Sequence, residues 1–216
     1  DILRGGPDND QLFGDAGDDD LFGGSGDDVM EGGTGDDYME GNEGSDNLKG
    51  QDSEDDLIGG SSSVGIADAA DTLDGGPGHD FMAGDNASIT RPGGSLPGVY
   101  PIIRPLGTDP GDGSKLRVVT LYDVATTTFT PDSGASGGDT LYGRDGNDRM
   151  YGGGGNDIIW GGSGDDIIQG NDSNDTIYGE GGQDDIVGGT GRTVSDSAAS
   201  AVDGRKDGDD TIYGAD

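Results

Sequence analysis

The chain has 216 residues, with Asp+Glu 45 against Lys+Arg 11, a formal charge of −34, Gly 48 and Cys 0. Leu, Ile, Val and Phe together fall below a fifth of the residues, a balance that ordinarily leaves a chain disordered, and each glycine adds backbone freedom that ordering must remove. Nucleic acid and anionic lipid are excluded as direct partners by charge, disulfides and thiolate metal sites by composition, and a membrane span by the lack of any long apolar stretch.

Residues 1–86 form a first block with a period of nine. An aspartate recurs at Asp10, Asp19, Asp28, Asp37, Asp46 and Asp55, and two positions later comes Leu12, Leu21, Met30, Met39, Leu48 and Leu57. Glycine or a small polar residue precedes each aspartate, as in Gly32-Gly33-Thr34-Gly35-Asp36-Asp37. Residues 61–70 replace one loop, and the register resumes at Asp71-Thr72-Leu73, which predicts a bulged turn.

The stretch 87–137 differs in kind. It holds prolines at 92, 97, 101, 105, 110 and 131 and the cations Arg91, Arg104, Lys115 and Arg117. Residues 116–122 and 124–130 are predicted strands around Asp123, so a β-rich excursion is expected, lying against the repeats as a decorated loop or offering a docking surface.

A second block at 138–190 restores the period with Asp139, Asp148, Asp157, Asp166, Asp175 and Asp184, followed by Leu141, Met150, Ile159, Ile168, Ile177 and Ile186. Here Tyr142, Trp160 and Tyr178 recur every eighteen residues, and Tyr213 joins them if the last interruption preserves the coil. An outward aromatic ladder is predicted, flanked by Thr140, Thr176 and Thr211, either shielding the sheet or serving as a lateral binding face for a second copy, the excursion or a carbohydrate. Residues 191–208 are a predicted loop insertion, and 209–216 a last partial repeat.

The unit is Gly-Gly-x-Gly-x-Asp-x-U-x, with U a large aliphatic residue. Its glycines are expected to permit positive φ and turn carbonyls inward, while x-U-x forms a short strand with its middle side chain inside. Two units make one coil, residues eighteen apart stack, and no unit is complete alone. Evenly spaced oxygen ligands call for a hard cation, and Ca²⁺ accepts many oxygens in flexible geometry. One ion per stacked loop pair gives about a dozen, whose charge of about +24 would offset much of the chain's own, so folding is expected to require the metal.

These motifs resemble the RTX, or hemolysin-type, calcium-binding repeat family over residues 1–86 and 138–190 and at Asp210-Thr211-Ile212-Tyr213. The resemblance implies an all-β, right-handed parallel β-roll with Ca²⁺ in its turns. By position it carries the liganding role onto Asp1, Asp10, Asp19, Asp28, Asp37, Asp46, Asp55, Asp71, Asp80, Asp139, Asp148, Asp157, Asp166, Asp175, Asp184 and Asp210. The turns 41–46 and 50–55 lose glycines, so their sites are expected to be weakened. The resemblance also implies a secreted bacterial protein, exported through a C-terminal signal that is not visible here.

No catalytic activity is expected of these residues. No His-Glu-x-x-His occurs, and His79 is the sole histidine, read as an exposed loop residue. The Gly-x-Ser-x-Gly match at 134–138 lies outside any strand-to-helix context. Asn86-Ala87-Ser88 matches a glycosylation acceptor, a weak signal. The ends carry no capping element, so a segment of a larger protein or an end-covered subunit is expected. The functional reading is an extracellular, calcium-folded structural or adhesive module, self-associating end to end or laterally. The alternative is the folding and secretion module of an enzyme or toxin whose active domain lies elsewhere; an ice-binding or carbohydrate-binding face is a third class.

Overall fold

The computed structural model describes residues 1–63, 69–90, 118–121, 137–189 and 211–213. All regular structure among them is β. With strands numbered along the chain, one parallel sheet contains β1 (Ile2–Pro7), β3 (Asp20–Ser25), β5 (Tyr38–Glu43), β7 (Asp56–Ile58), β9 (Phe81–Ala83), β13 (Arg149–Gly154), β15 (Ile167–Asp172) and β17 (Asp185–Gly189), in that spatial order. The other contains β2 (Gln11–Ala16), β4 (Val29–Thr34), β6 (Asn47–Asp52), β8 (Thr72–Pro77), β12 (Thr140–Asp145), β14 (Ile158–Ser163), β16 (Thr176–Gly181) and β18 (Thr211–Tyr213). Successive repeats alternate between the two walls, which gives a parallel β-roll of eight coils.

The core is two columns of aliphatic side chains. On one wall Leu3 lies beside Leu21, Leu21 beside Met39, and Met39 beside Leu57. On the other Leu12 lies beside Met30, and Met30 beside Leu48. From Leu12 to Ile177 these residues are at most 5% exposed and form one continuous cluster. Each strand contributes only one such residue, so a coil buries its apolar pair only between neighbours.

Both sheets run unbroken through the interruptions. Leu73 pairs beside Leu141 and Met82 beside Met150, although 68 residues separate the members of each pair. The predicted strand at 116–122 is observed as β11 (Val118–Leu121), antiparallel to β10 (Ala87–Thr90). The predicted strand at 124–130 and the loop at 191–208 lie outside the described residues, as does the middle of the bulged turn. Ala87 and Ile89 of β10 pack on the outer face of the first sheet against Ile58, Phe81, Ala83 and Tyr151. In the described part, the excursion therefore covers the middle of that wall, over β7, β9 and β13. Asn86 is 2% exposed, and its Oδ1 accepts from the Ser61 N–H at 2.7 Å, so this side chain is enclosed.

Two expectations need correction. Most strands run six residues instead of three, because pairing continues across the bend, as between Asp15 and Gly33. Positive φ is found at the second and fourth glycines of a repeat, such as Gly24 and Gly26, but not at the first. The reason for glycine at the first position lies in the site.

The aromatic ladder is present. Tyr142, Trp160, Tyr178 and Tyr213 stack with centroids 4.8, 5.4 and 4.8 Å apart and planes within 8°. The Arg144 guanidinium lies 4.8 Å over the Tyr142 ring, so the faces within the ladder are already engaged.

Candidate metal centre

Each sixth-position aspartate sits at the entry to a strand, where the turn delivers its carboxyl beneath the neighbouring coil. Asp19, Asp28, Asp37, Asp46, Asp55, Asp71, Asp80, Asp139, Asp148, Asp157, Asp166 and Asp175 are at most 3% exposed. Asp10 and Asp184 are half-buried, Asp1 is exposed, and Asp210 lies outside the described residues.

One carboxyl oxygen is used structurally. The backbone N–H of Asp10 donates to Oδ1 of Asp28 at 2.8 Å, that of Asp28 to Asp46 at 2.7 Å, and that of Asp157 to Asp175 at 3.0 Å. The pattern bridges the insertions as well: Asp46 N–H donates to Asp71 and Asp71 N–H to Asp139, at 2.7 and 2.8 Å. Every such aspartate ties its own coil to the one before.

The second oxygen is orphaned. Oδ2 of Asp10, Asp19, Asp28, Asp37, Asp46, Asp157 and Asp166 is buried and accepts no hydrogen bond. It faces the first glycine of its own repeat and a carbonyl from the next coil on that wall. A Cβ on Gly5 would stand 2.7 Å from both Asp10 Oδ2 and the Gly23 carbonyl oxygen; on Gly14 it would stand 2.8 Å from Asp19 Oδ2 and 2.5 Å from the Gly32 oxygen. Gly23, Gly32, Gly152 and Gly161 repeat the arrangement. Glycine at the first position is thus demanded by close approach of two oxygens, not by φ.

A buried carboxylate oxygen without a donor is unfavourable unless a proton or cation lies with it. Burial accordingly raises the Asp37 carboxyl to about 6 and those of Asp46, Asp157 and Asp166 to about 7, with like-charged neighbours adding to the shift at Asp37, Asp46 and Asp166. Asp28 and Asp184 shift upward for the same first cause. Among the described residues no three His, Cys, Asp or Glu side chains cluster as a metal site. The oxygens gathered in these turns are one carboxylate oxygen per repeat and main-chain carbonyls, an all-oxygen set suited to a hard cation and poor for a transition metal.

The repeat model of the RTX calcium-binding nonapeptide family matches residues 1–30, 31–63, 68–87, 133–168 and 160–194. The chain belongs to the RTX calcium-binding repeat family. No curated protein matches it. Ca²⁺ is the ion of this repeat family, and the orphaned oxygens fit it: a bound ion would supply the positive charge that the carboxylates lack.

The turns that lose glycines keep the RTX geometry. Asn42, Gln51 and Ser53 hold φ of 77°, 81° and 100°, and the hydrogen bonds to Asp46 and Asp55 match those elsewhere. A further ladder escaped the sequence reading. Fifth-position side chains accept from the following coil, as Asn9 Oδ1 does from Asp27 N–H at 3.0 Å, Asp18 from Asp36 at 3.0 Å and Asn147 from Asp165 at 2.8 Å. His79 takes the same place, its Nδ1 accepting from Asn147 N–H at 2.8 Å, so it is a bridging residue and not a free loop side chain. The signal was available in the short acceptors Asn and Asp that crowd the fifth position.

Proposed function

We propose that this chain is a calcium-folded structural module of an extracellular bacterial assembly. The observation that carries the proposal is the series of buried, orphaned Oδ2 atoms at Asp10, Asp19, Asp28, Asp37, Asp46, Asp157 and Asp166. Each lies against the first glycine of its repeat, near a main-chain carbonyl of the next coil, so every repeat brings a buried carboxylate oxygen without a donor to the same place in its turn. The sixth-position aspartates from Asp1 to Asp210 are the carboxylate ligands in this reading, with about a dozen ions spread along two edges of the roll.

Where calcium is scarce, the buried carboxylates oppose folding and the chain stays open for export. Where calcium is millimolar, binding and folding are one event and yield a stiff rod. The test is a Ca²⁺ titration of the chain by far-UV circular dichroism with light scattering on the same sample. Coil turning cooperatively to sheet with rising scattering is the expected result. Sheet without scattering would assign the chain to the folding module of a larger secreted protein, and no change at roughly 10 mM would sink the calcium reading.

A further inference from the structure

A groove of about 800 Å³ runs beside the aromatic ladder on the outer wall of the second sheet, crossing β8, β12, β14 and β16. Tyr142 and Trp160 line it together with Asp145 and Glu180. Arg144 also borders it, but its guanidinium is forked onto Asp74 at 2.9 Å through two nitrogens, so the charge of each is cancelled by the other. Asp145, which accepts from Ser163 Oγ at 2.6 Å, and Glu180 set the sign of the groove. Polyanions are repelled, and a sugar cannot stack on ring faces that are already stacked on one another.

An aromatic wall with carboxylates fits an extended, arginine-bearing, proline-rich peptide. Proline rings pack on the edges of the stacked rings that border the groove, and guanidinium groups pair with the carboxylates. The chain carries such a sequence: residues 91–105 read Arg-Pro-Gly-Gly-Ser-Leu-Pro-Gly-Val-Tyr-Pro-Ile-Ile-Arg-Pro, with two cations and no acidic residue in a chain of charge −34. The root of that segment is fixed by the paired Thr90 and Val118. β10 lies on the outer face of the first sheet, against Ile58, Phe81 and Tyr151, on the wall opposite the groove.

We propose that the groove beside Tyr142 and Trp160 takes residues 91–105 of a second copy of the chain. Root and groove stand on opposite walls, so the contact is heterologous and leaves a free root and a free groove at the ends of every pair. Copies therefore join side by side into open rows. The inference rests on the reading of the chain as an assembling module and supplies the contact that reading lacks.

The experiment is sedimentation velocity of the calcium-loaded full chain and of two charge-reversed variants, Glu180→Lys and Arg104→Glu, each first checked by circular dichroism for an unchanged calcium-induced fold. The wild type forms species that grow with concentration. Each variant alone associates about tenfold more weakly or worse, since reversal places like charges together. Mixed in equal amounts, the variants regain growth with concentration, because the intact segment of the first meets the intact groove of the second, and the reversed segment of the second meets the reversed groove of the first with opposite charges. A synthetic peptide of residues 91–105 also shifts the emission of Trp160, the chain's one tryptophan, and does so far less in Glu180→Lys. A wild type that assembles with both variants unaffected, or variants that fail to pair on mixing, overturns this contact alone. A wild type that stays monomeric overturns it together with the assembly reading.

Discussion

Arg144 reaches back seventy positions to Asp74 and donates through Nε and an Nη to both carboxylate oxygens, each at 2.9 Å. The pair straddles β8 and β12, the junction at which the chain returns from its long excursion. Arg144 does this from a left-handed backbone, at φ 83° in a position where the repeat calls for glycine, while also covering the Tyr142 ring.

Three effects of similar size meet at that residue. The exposed ion pair and the ring contact each contribute up to about 1 kcal/mol, and the left-handed backbone costs about 1–2 kcal/mol. Arg144→Gly should therefore change the stability of the calcium-loaded chain by less than about 1 kcal/mol, and Arg144→Ala should cost more because it retains the strain. Denaturant melts of the two variants in calcium check the order.

Gly32→Ala and Gly17→Ala should differ sharply. At Gly32 a Cβ would collide with Asp37 Oδ2 and stand 2.9 Å from the Gly50 carbonyl oxygen, whereas at Gly17 it meets nothing within 4 Å and only φ of 110° opposes it. Overpacking of this kind costs about 1–3 kcal/mol, and displacing the oxygens should also remove a calcium site. Calorimetric titration should show fewer ions bound in Gly32→Ala and an unchanged number in Gly17→Ala.

Asp166→Asn separates the two uses of the aspartate. The amide oxygen can still accept from Asp148 N–H, the bond that measures 2.9 Å in the native chain. The other atom becomes a donor near the Gly179 carbonyl, with no charge to bury. Stoichiometry should fall while sheet content in calcium-free solution rises, as read by calorimetry and circular dichroism. A variant that binds the full complement of ions would remove Asp166 from the ligands.

Acid should partly replace calcium. The carboxyls of Asp46, Asp157 and Asp166 stand at about 7 and that of Asp37 at about 6, against 3.8 in the open chain. Folded pKa values lie above unfolded ones, so the folded state holds protons that the open chain releases. The stabilisation is complete below about pH 4 and is lost as pH rises through 6 to 7. In calcium-free solution, sheet signal should grow on acidification from pH 8 toward 4. In its presence, calcium affinity should weaken as pH falls through 7, with protons released on binding. A calcium-free chain whose circular dichroism is flat across this range contradicts the assignment.

The two core columns were legible because one aliphatic residue at a fixed position forces one inward direction, as at Leu12, Met30 and Leu48. The stacking of Tyr142, Trp160 and Tyr178 followed from the same count. Position-one glycine was misread because its reason is another coil's carbonyl, as Gly23 is to Gly5, which no single repeat displays. Phe81 and Tyr151 flank the inward Met82 and Met150 and so point outward, but β10 covers them from a segment with no period. The fifth-position ladder was obscured because Asn9, Asp18 and His79 differ in chemistry while sharing one acceptor geometry.

The opposed side-chain ladders have a mechanical consequence. Sixth-position aspartates reach to the coil before and fifth-position residues to the coil after, so adjacent coils are clasped from both sides along the axis. Tension applied along the roll would load those clasps in series, and the outermost would yield first. A regular coil lets go of eighteen residues, roughly 60 Å of chain, and surrenders its ions as it opens. A tethered roll of this kind would lengthen in even steps under load and rewind when slackened in calcium, behaving as a ratcheted spring instead of a brittle strut.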